Sequence, residues 1–183
     1  MWTLLLTRLP LLLPPAFLLT PASAQAHHKE ASTPLAAPVA RSIDLPLSNG
    51  DRLRVLVSAP STPRGTIIML PGGAGDIGLE KDGTPEHGHN FVVRTRGLWN
   101  RQGYTVLIPD TISRANLRGE RSAPAYAQRV GDLTAFAHQH EATPVFLLGT
   151  SQGTIAAVNR AAHALPGSLA GVVLTESVSV TGG

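Results

Sequence analysis

Four short, almost unbroken apolar runs recur along this chain, at residues 65–70, 104–108, 145–148 and 171–175, each bounded by Gly, Pro or a polar loop. Such a run has no face suited to water, so as a strand it must be covered on both sides. Between the runs lie stretches with apolar residues at helical spacing. Phe91, Val92, Leu98 and Trp99 form the first, and Val130, Leu133, Phe136 and Ala137 lie on one face of residues 125–140. The third is the alanine-rich segment 154–165. Doubly covered strands alternating with helices specify an α/β fold, a mostly parallel sheet with right-handed crossovers. A site in such a sheet forms at the carboxyl ends of the strands. That brings together the loops after Leu70, Asp110, Gly149 and Glu176.

Ahead of these runs, residues 43–47 and 52–57 flank Ser48-Asn49-Gly50-Asp51. Asn-Gly between two extended segments signals a hairpin, here the antiparallel edge of a sheet of about six strands. The first twenty residues are leucine-rich, with Arg8 as their one charge, and Pro10, Pro14 and Pro15 interrupt them in a way that suits a membrane-spanning helix poorly. They lead into Pro21-Ala22-Ser23-Ala24-Gln25-Ala26, whose small residues fit signal-peptidase cleavage after Ala24 or Ala26. We expect a signal peptide at 1–24, a disordered linker at 25–41 and a partial α/β domain at 42–183, exported to a periplasm or secreted. The absence of cysteine excludes a disulfide framework, a thiolate zinc site and a Cys nucleophile. The formal charge of +3 falls to +2 without Arg8, too little for a nucleic-acid surface.

The strand at 145–148 runs into Gly149-Thr150-Ser151-Gln152-Gly153 and then a helix. A Gly-x-Ser-x-Gly match arises by chance about 0.1 times in a chain of this composition, so the pentapeptide means little without its setting. Strand, turn and helix are the setting a nucleophile elbow needs: the serine is held in a strained turn, and flanking side chains would collide where helix passes strand. A serine attacking a carbonyl also needs donors for the oxyanion. The residue after the nucleophile, Gln152, supplies one backbone N–H. The loop after the earlier strand, Pro71-Gly72-Gly73-Ala74-Gly75, is placed to supply another.

That loop resembles the His-Gly-Gly-Gly oxyanion motif of lipases and esterases, with Pro71 where the motif has His, and the alignment assigns the donor to Gly73. Hairpin, glycine loop, strand, helix, elbow, helix and strand over residues 42–176 together resemble the α/β-hydrolase superfamily. The resemblance implies acyl-serine chemistry on small ester-like substrates, with the triad in the order Ser, Asp or Glu, then His, and no metal or cofactor. Here the chain departs from the pattern, because after Ser151 its one histidine is His163, roughly 15 Å along a departing helix. His138 and His140 end a helix that runs to the opposite sheet edge. His87, His89 and Glu176 lie in loops at the active edge and are the candidates for a rewired site.

Two other patterns compete. Gly73-Ala74-Gly75-Asp76-Ile77-Gly78 matches a dinucleotide-binding fingerprint, but no helix opens on it and no acidic residue closes a strand about 20 positions on. His87-Gly88-His89 has the look of a metal-ligand pair without a carboxylate, and reads more simply as a solvated loop. Arg114, Arg118 and Arg121 either attract an anionic substrate or form a solvated loop, and exposed charge favours the second. The leading expectation is therefore a serine esterase-like hydrolase with Ser151 as nucleophile and the N–H groups of Gly73 and Gln152 as oxyanion hole, weak or inactive as a truncated chain. The alternatives are a non-catalytic fragment or binding module and, more remotely, a nucleotide-binding domain.

Overall fold

A computed structural model describes residues 39–140 and 144–179. The leader and all but the last three residues of the linker expected at 25–41 lie outside the described residues. The chain pairs β1 (Val39–Pro46) with β2 (Arg52–Ala59) and continues through β3 (Gly65–Leu70), α1 (Phe91–Arg101) and β4 (Tyr104–Pro109). It then runs through a 3-10 turn (Ile112–Arg114), α2 (Pro124–His140), β5 (Val145–Thr150), α3 (Gly153–Ala162) and β6 (Gly171–Thr175).

The expected linker ends early, because Val39, Ala40 and Arg41 are strand. They pair antiparallel with Ala59, Ser58 and Val57. Backbone pairing needs no apolar period, and β2 extends far enough to template the addition. The turn at residues 47–51 closes as a hairpin, with Gly50 N–H donating to Leu47 O at 3.0 Å and Gly50 at φ +91.

All six strands form one sheet in the order β1-β2-β4-β3-β5-β6. β2 runs antiparallel to β4, while β4, β3, β5 and β6 are mutually parallel. The alternation of strand side chains divides the core in two. Ile68, Leu70, Leu107 and Leu147 face Tyr126, Val130 and Leu133 of α2 and Ala156 and Ala157 of α3. Ile67, Met69, Val106, Ile108 and Leu148 face Val92 and Val93 of α1, with Ile77 and Leu79 of the loop between β3 and α1. This is the double coverage the apolar runs require, and it holds for β3, β4 and β5.

β6 differs. Val172, Val173 and Leu174 are 38%, 43% and 43% exposed, although the run reads as a buried strand. The strand is outermost in the described sheet, with β5 on one side and α3 over part of one face, so its apolar side chains lack cover. The registers Ile68↔Leu107, Leu70↔Gly149 and Thr150↔Thr175 bring the carboxyl ends of the four parallel strands to one edge. Among the described residues, no helix is long and apolar enough to cross a membrane.

Candidate active site

At that edge β5 ends in Ser151, which takes φ +50, a left-handed conformation that costs a non-glycine residue about 1–2 kcal/mol. Three hydrogen bonds hold the turn. Ser151 N–H donates to Thr175 O at 3.0 Å, and Ser151 O accepts from Thr154 N–H at 2.9 Å and Thr154 Oγ1 at 2.7 Å. The flanking glycines are required by backbone contacts. A Cβ on Gly149 would lie 2.5 Å from Gly153 O, and one on Gly153 would meet Leu70 O closer still, with Pro71 O at 2.9 Å. The helix thus crosses the strand ends at backbone contact, which explains both glycines of the pentapeptide.

Beside the elbow lies the glycine loop after β3. A Cβ on Gly72 would sit 3.1 Å from Ser151 Cβ and 3.0 Å from Thr150 O, so the loop and the nucleophile candidate are in contact. Gly73, at φ +56, has open space where its Cβ would be. Gly75 N–H returns to Gly72 O at 3.1 Å, and Leu117 N–H reaches Ala74 O at 2.9 Å. Gln152, at φ −56 and ψ −25, precedes the first residue of α3. Ser151, Gln152, Gly72 and Gly73 therefore share one corner of the sheet edge.

The remaining length of the glycine loop is organised by Asp110. Its buried carboxylate accepts from Ile77 N–H at 2.8 Å, Leu79 N–H at 2.7 Å and Thr111 N–H at 2.8 Å. No helix opens on residues 73–78; the next helix begins at Phe91, too late for the cradle a dinucleotide phosphate would use.

His87, His138, His140 and His163 each hydrogen-bond to a backbone carbonyl. His163 caps the far end of α3 with Nδ1 2.8 Å from Asn159 O, and His138 Nε2 lies 2.9 Å from Ser168 O. His140 Nδ1 lies 2.9 Å from Phe136 O within its own helix. His87 Nδ1 lies 3.0 Å from Asp76 O in an exposed stretch, and His89 is exposed. Glu176 follows β6 directly, exposed and at φ +50. Among the described residues no hydrogen bond joins Ser151 Oγ to a histidine or carboxylate, and no three His, Asp or Glu side chains gather as a metal site would require.

The three arginines have separate fates. Arg114 forks onto Glu86 with bonds of 2.8 and 2.9 Å, which holds the Glu86 carboxyl below the usual carboxylate range and raises the guanidinium above its own. Arg118 is exposed. Arg121, expected to be solvated, is 1% exposed and donates to Gly73 O at 2.9 Å and Pro71 O at 3.1 Å.

No family model and no curated protein matches the chain. Solved structures do. A dienelactone hydrolase from Anabaena variabilis superposes with a TM-score of 0.53 at 16% identity, over 75% of this chain and 62% of its own. An α/β hydrolase from a Penicillium species gives 0.53 at 18% identity over 74% and 45%, and an aminopeptidase from a Thaumarchaeota archaeon gives 0.56 at 13% over 89% and 29%. The chain thus spans less than two thirds of the length of these structures. It has an α/β-hydrolase-like fold.

Proposed function

We propose that Ser151 is the nucleophile of a serine hydrolase that cleaves small ester-like substrates through an acyl-serine intermediate. The observation that carries this reading is the contact of Gly72 with Ser151, which sets the glycine loop against a strained serine at the start of a helix. A carbonyl carbon attacked by Ser151 Oγ develops negative charge on its oxygen, and the N–H groups of Gly73 and Gln152 are the donors for it. The dienelactone hydrolase of similar fold supports the reaction class.

Among the described residues no hydrogen bond joins Ser151 Oγ to a histidine or carboxylate, so the reading rests on the strained turn and the oxyanion donors beside it. Donors and binding without a general base still leave measurable acceleration. A fluorophosphonate probe tests the reading directly. Covalent labelling of the full chain that disappears in Ser151→Ala supports an activated serine; equal labelling of both, or of neither, overturns it. The residues up to Ala26 support export, and an N-terminus at Gln25 or His27 in the mature protein would establish it.

A further inference from the structure

An arginine buried to 1% exposure is costly unless its donors are satisfied, and among the described residues the partners of Arg121 are carbonyls and the Tyr126 hydroxyl rather than a carboxylate. A methionine or leucine would fill the space at lower electrostatic cost, so the position calls for what a guanidinium alone provides: a rigid planar fork of donors. That fork closes on two peptide units of the glycine loop. Every described peptide is trans, so N–H and C=O of one unit point in opposite directions. With Pro71 O and Gly73 O drawn to Arg121, the N–H groups of Gly72 and Ala74 are turned away from it. The intervening carbonyl, Gly72 O, is held by Gly75 N–H at 3.1 Å, which orients the Gly73 N–H of the same unit.

Arg121 is itself anchored from the elbow helix. Asn159 Nδ2 donates to Arg121 O and Ala123 O, both at 2.9 Å. The helix that begins after Ser151 thereby fixes the backbone of the residue that grips the glycine loop, linking both halves of the proposed oxyanion hole. Burial also pulls the Arg121 guanidinium below its ordinary range, in keeping with its desolvated seat.

We propose that Arg121 is the positioning residue of the oxyanion loop, clamping the carbonyls of Pro71 and Gly73 and so fixing the peptide units on either side of the one that carries the Gly73 N–H before any substrate arrives. This rests on the serine-hydrolase reading for its kinetic consequence but not for its structural one. A displacement of about 1 Å at such a site costs on the order of 100-fold in rate. In Arg121→Met, the maximal rate of Ser151 phosphonylation by a fluorophosphonate falls on the order of 10- to 100-fold, with the half-saturating probe concentration changed less than about threefold. Arg121→Lys, which offers a compact donor in place of the fork, recovers part of the loss, and Arg121→Gln separates hydrogen bonding from charge; these two decide the matter if Arg121→Met fails to fold. Amide hydrogen exchange at Gly72, Gly73 and Ala74 is followed in the same variants and quickens with loss of the clamp. Unchanged phosphonylation and unchanged loop exchange in a folded variant overturn the proposal, even if its melting temperature drops. If wild-type Ser151 takes no label, the hydrolase reading fails, and loop exchange alone decides whether Arg121 is the clamp.

Discussion

Two glycines in helices predict opposite outcomes for the same substitution. Gly97 lies within α1, and a Cβ there would have Arg101 NH1 as its nearest neighbour at 3.7 Å, an ordinary contact. Gly97→Ala therefore gains helix propensity of about 0.8–1.0 kcal/mol with nothing to oppose it. Gly153 opens α3, and its added methyl would meet backbone rather than a flexible side chain: Leu70 O well inside van der Waals contact, Leu70 C at 2.9 Å and Pro71 O at 2.9 Å. Relief requires α3 to withdraw by roughly 1 Å from β3 and β5, against carbon contacts that are optimal near 3.5–4.0 Å. Ala156 and Ala157, both fully buried on that face, lose their packing with it. Overpacking at a site unable to yield costs about 3 kcal/mol or more, and subtracting about 1 kcal/mol of propensity leaves a net loss of at least about 2. At about 2–4 °C per kcal/mol for a domain of this size, Gly153→Ala melts at least about 4 °C lower and Gly97→Ala up to about 4 °C higher. Urea unfolding followed by far-ultraviolet circular dichroism gives the free energies independently. A Gly153→Ala variant as stable as the wild type would refute the close crossing of helix and strand.

Three further outcomes follow from named contacts. Ser151→Gly removes the left-handed penalty at φ +50 but adds about 0.5–1 kcal/mol of chain entropy, so melting temperature rises slightly or holds while labelling is abolished; a fall of several degrees would mean the turn is not strained. The Glu86 carboxyl, held below its ordinary value of 4.5 by Arg114, contributes stability above that value and loses it as pH falls through the lower folded-state value. The stability difference between wild type and Glu86→Gln is accordingly flat above about pH 4.5 and shrinks below it; a difference that grows on acidification contradicts the pairing. Val173, 43% exposed on the outermost described strand, favours self-association, so Val173→Lys lowers light scattering at equal concentration, and no change in scattering counts against an open apolar edge.

Much of this architecture was legible because its constraints are local. An apolar run with no polar alternate admits few environments, and residues 65–70, 104–108 and 145–148 occupy the doubly covered strands such runs require. Residues 171–175 carry the same signal, yet their side chains are half exposed, because coverage belongs to neighbours rather than to the run itself. The start of β1 was misplaced for a related reason. Val39-Ala40-Arg41 has no period, and its strand character comes from the ladder that β2 offers it. The elbow was legible at the level of single residues, since a serine between two glycines, with strand before and helix after, is a steric statement about one turn.

Arg121 marks where such reading stops, and its position says why. An arginine among Arg114, Arg118 and Glu120 has the sequence character of solvent-facing loop, and for Arg114 and Arg118 that is what the fold delivers. What sets Arg121 apart is a pair of carbonyls about fifty residues upstream, brought to it only when β3 and α2 pack on the same sheet. Neither carbonyl has a side-chain signature: Pro71 and Gly73 announce a turn, not an acceptor. Long-range bonds to backbone therefore carry no pattern in residue type at either end, whereas a steric exclusion leaves glycine as its trace. The turn at Ser151 belongs to the second kind of constraint and the seating of the glycine loop beside it to the first, so a chain of this fold shows the proposed nucleophile in its residue types before it shows the arginine that holds the neighbouring loop.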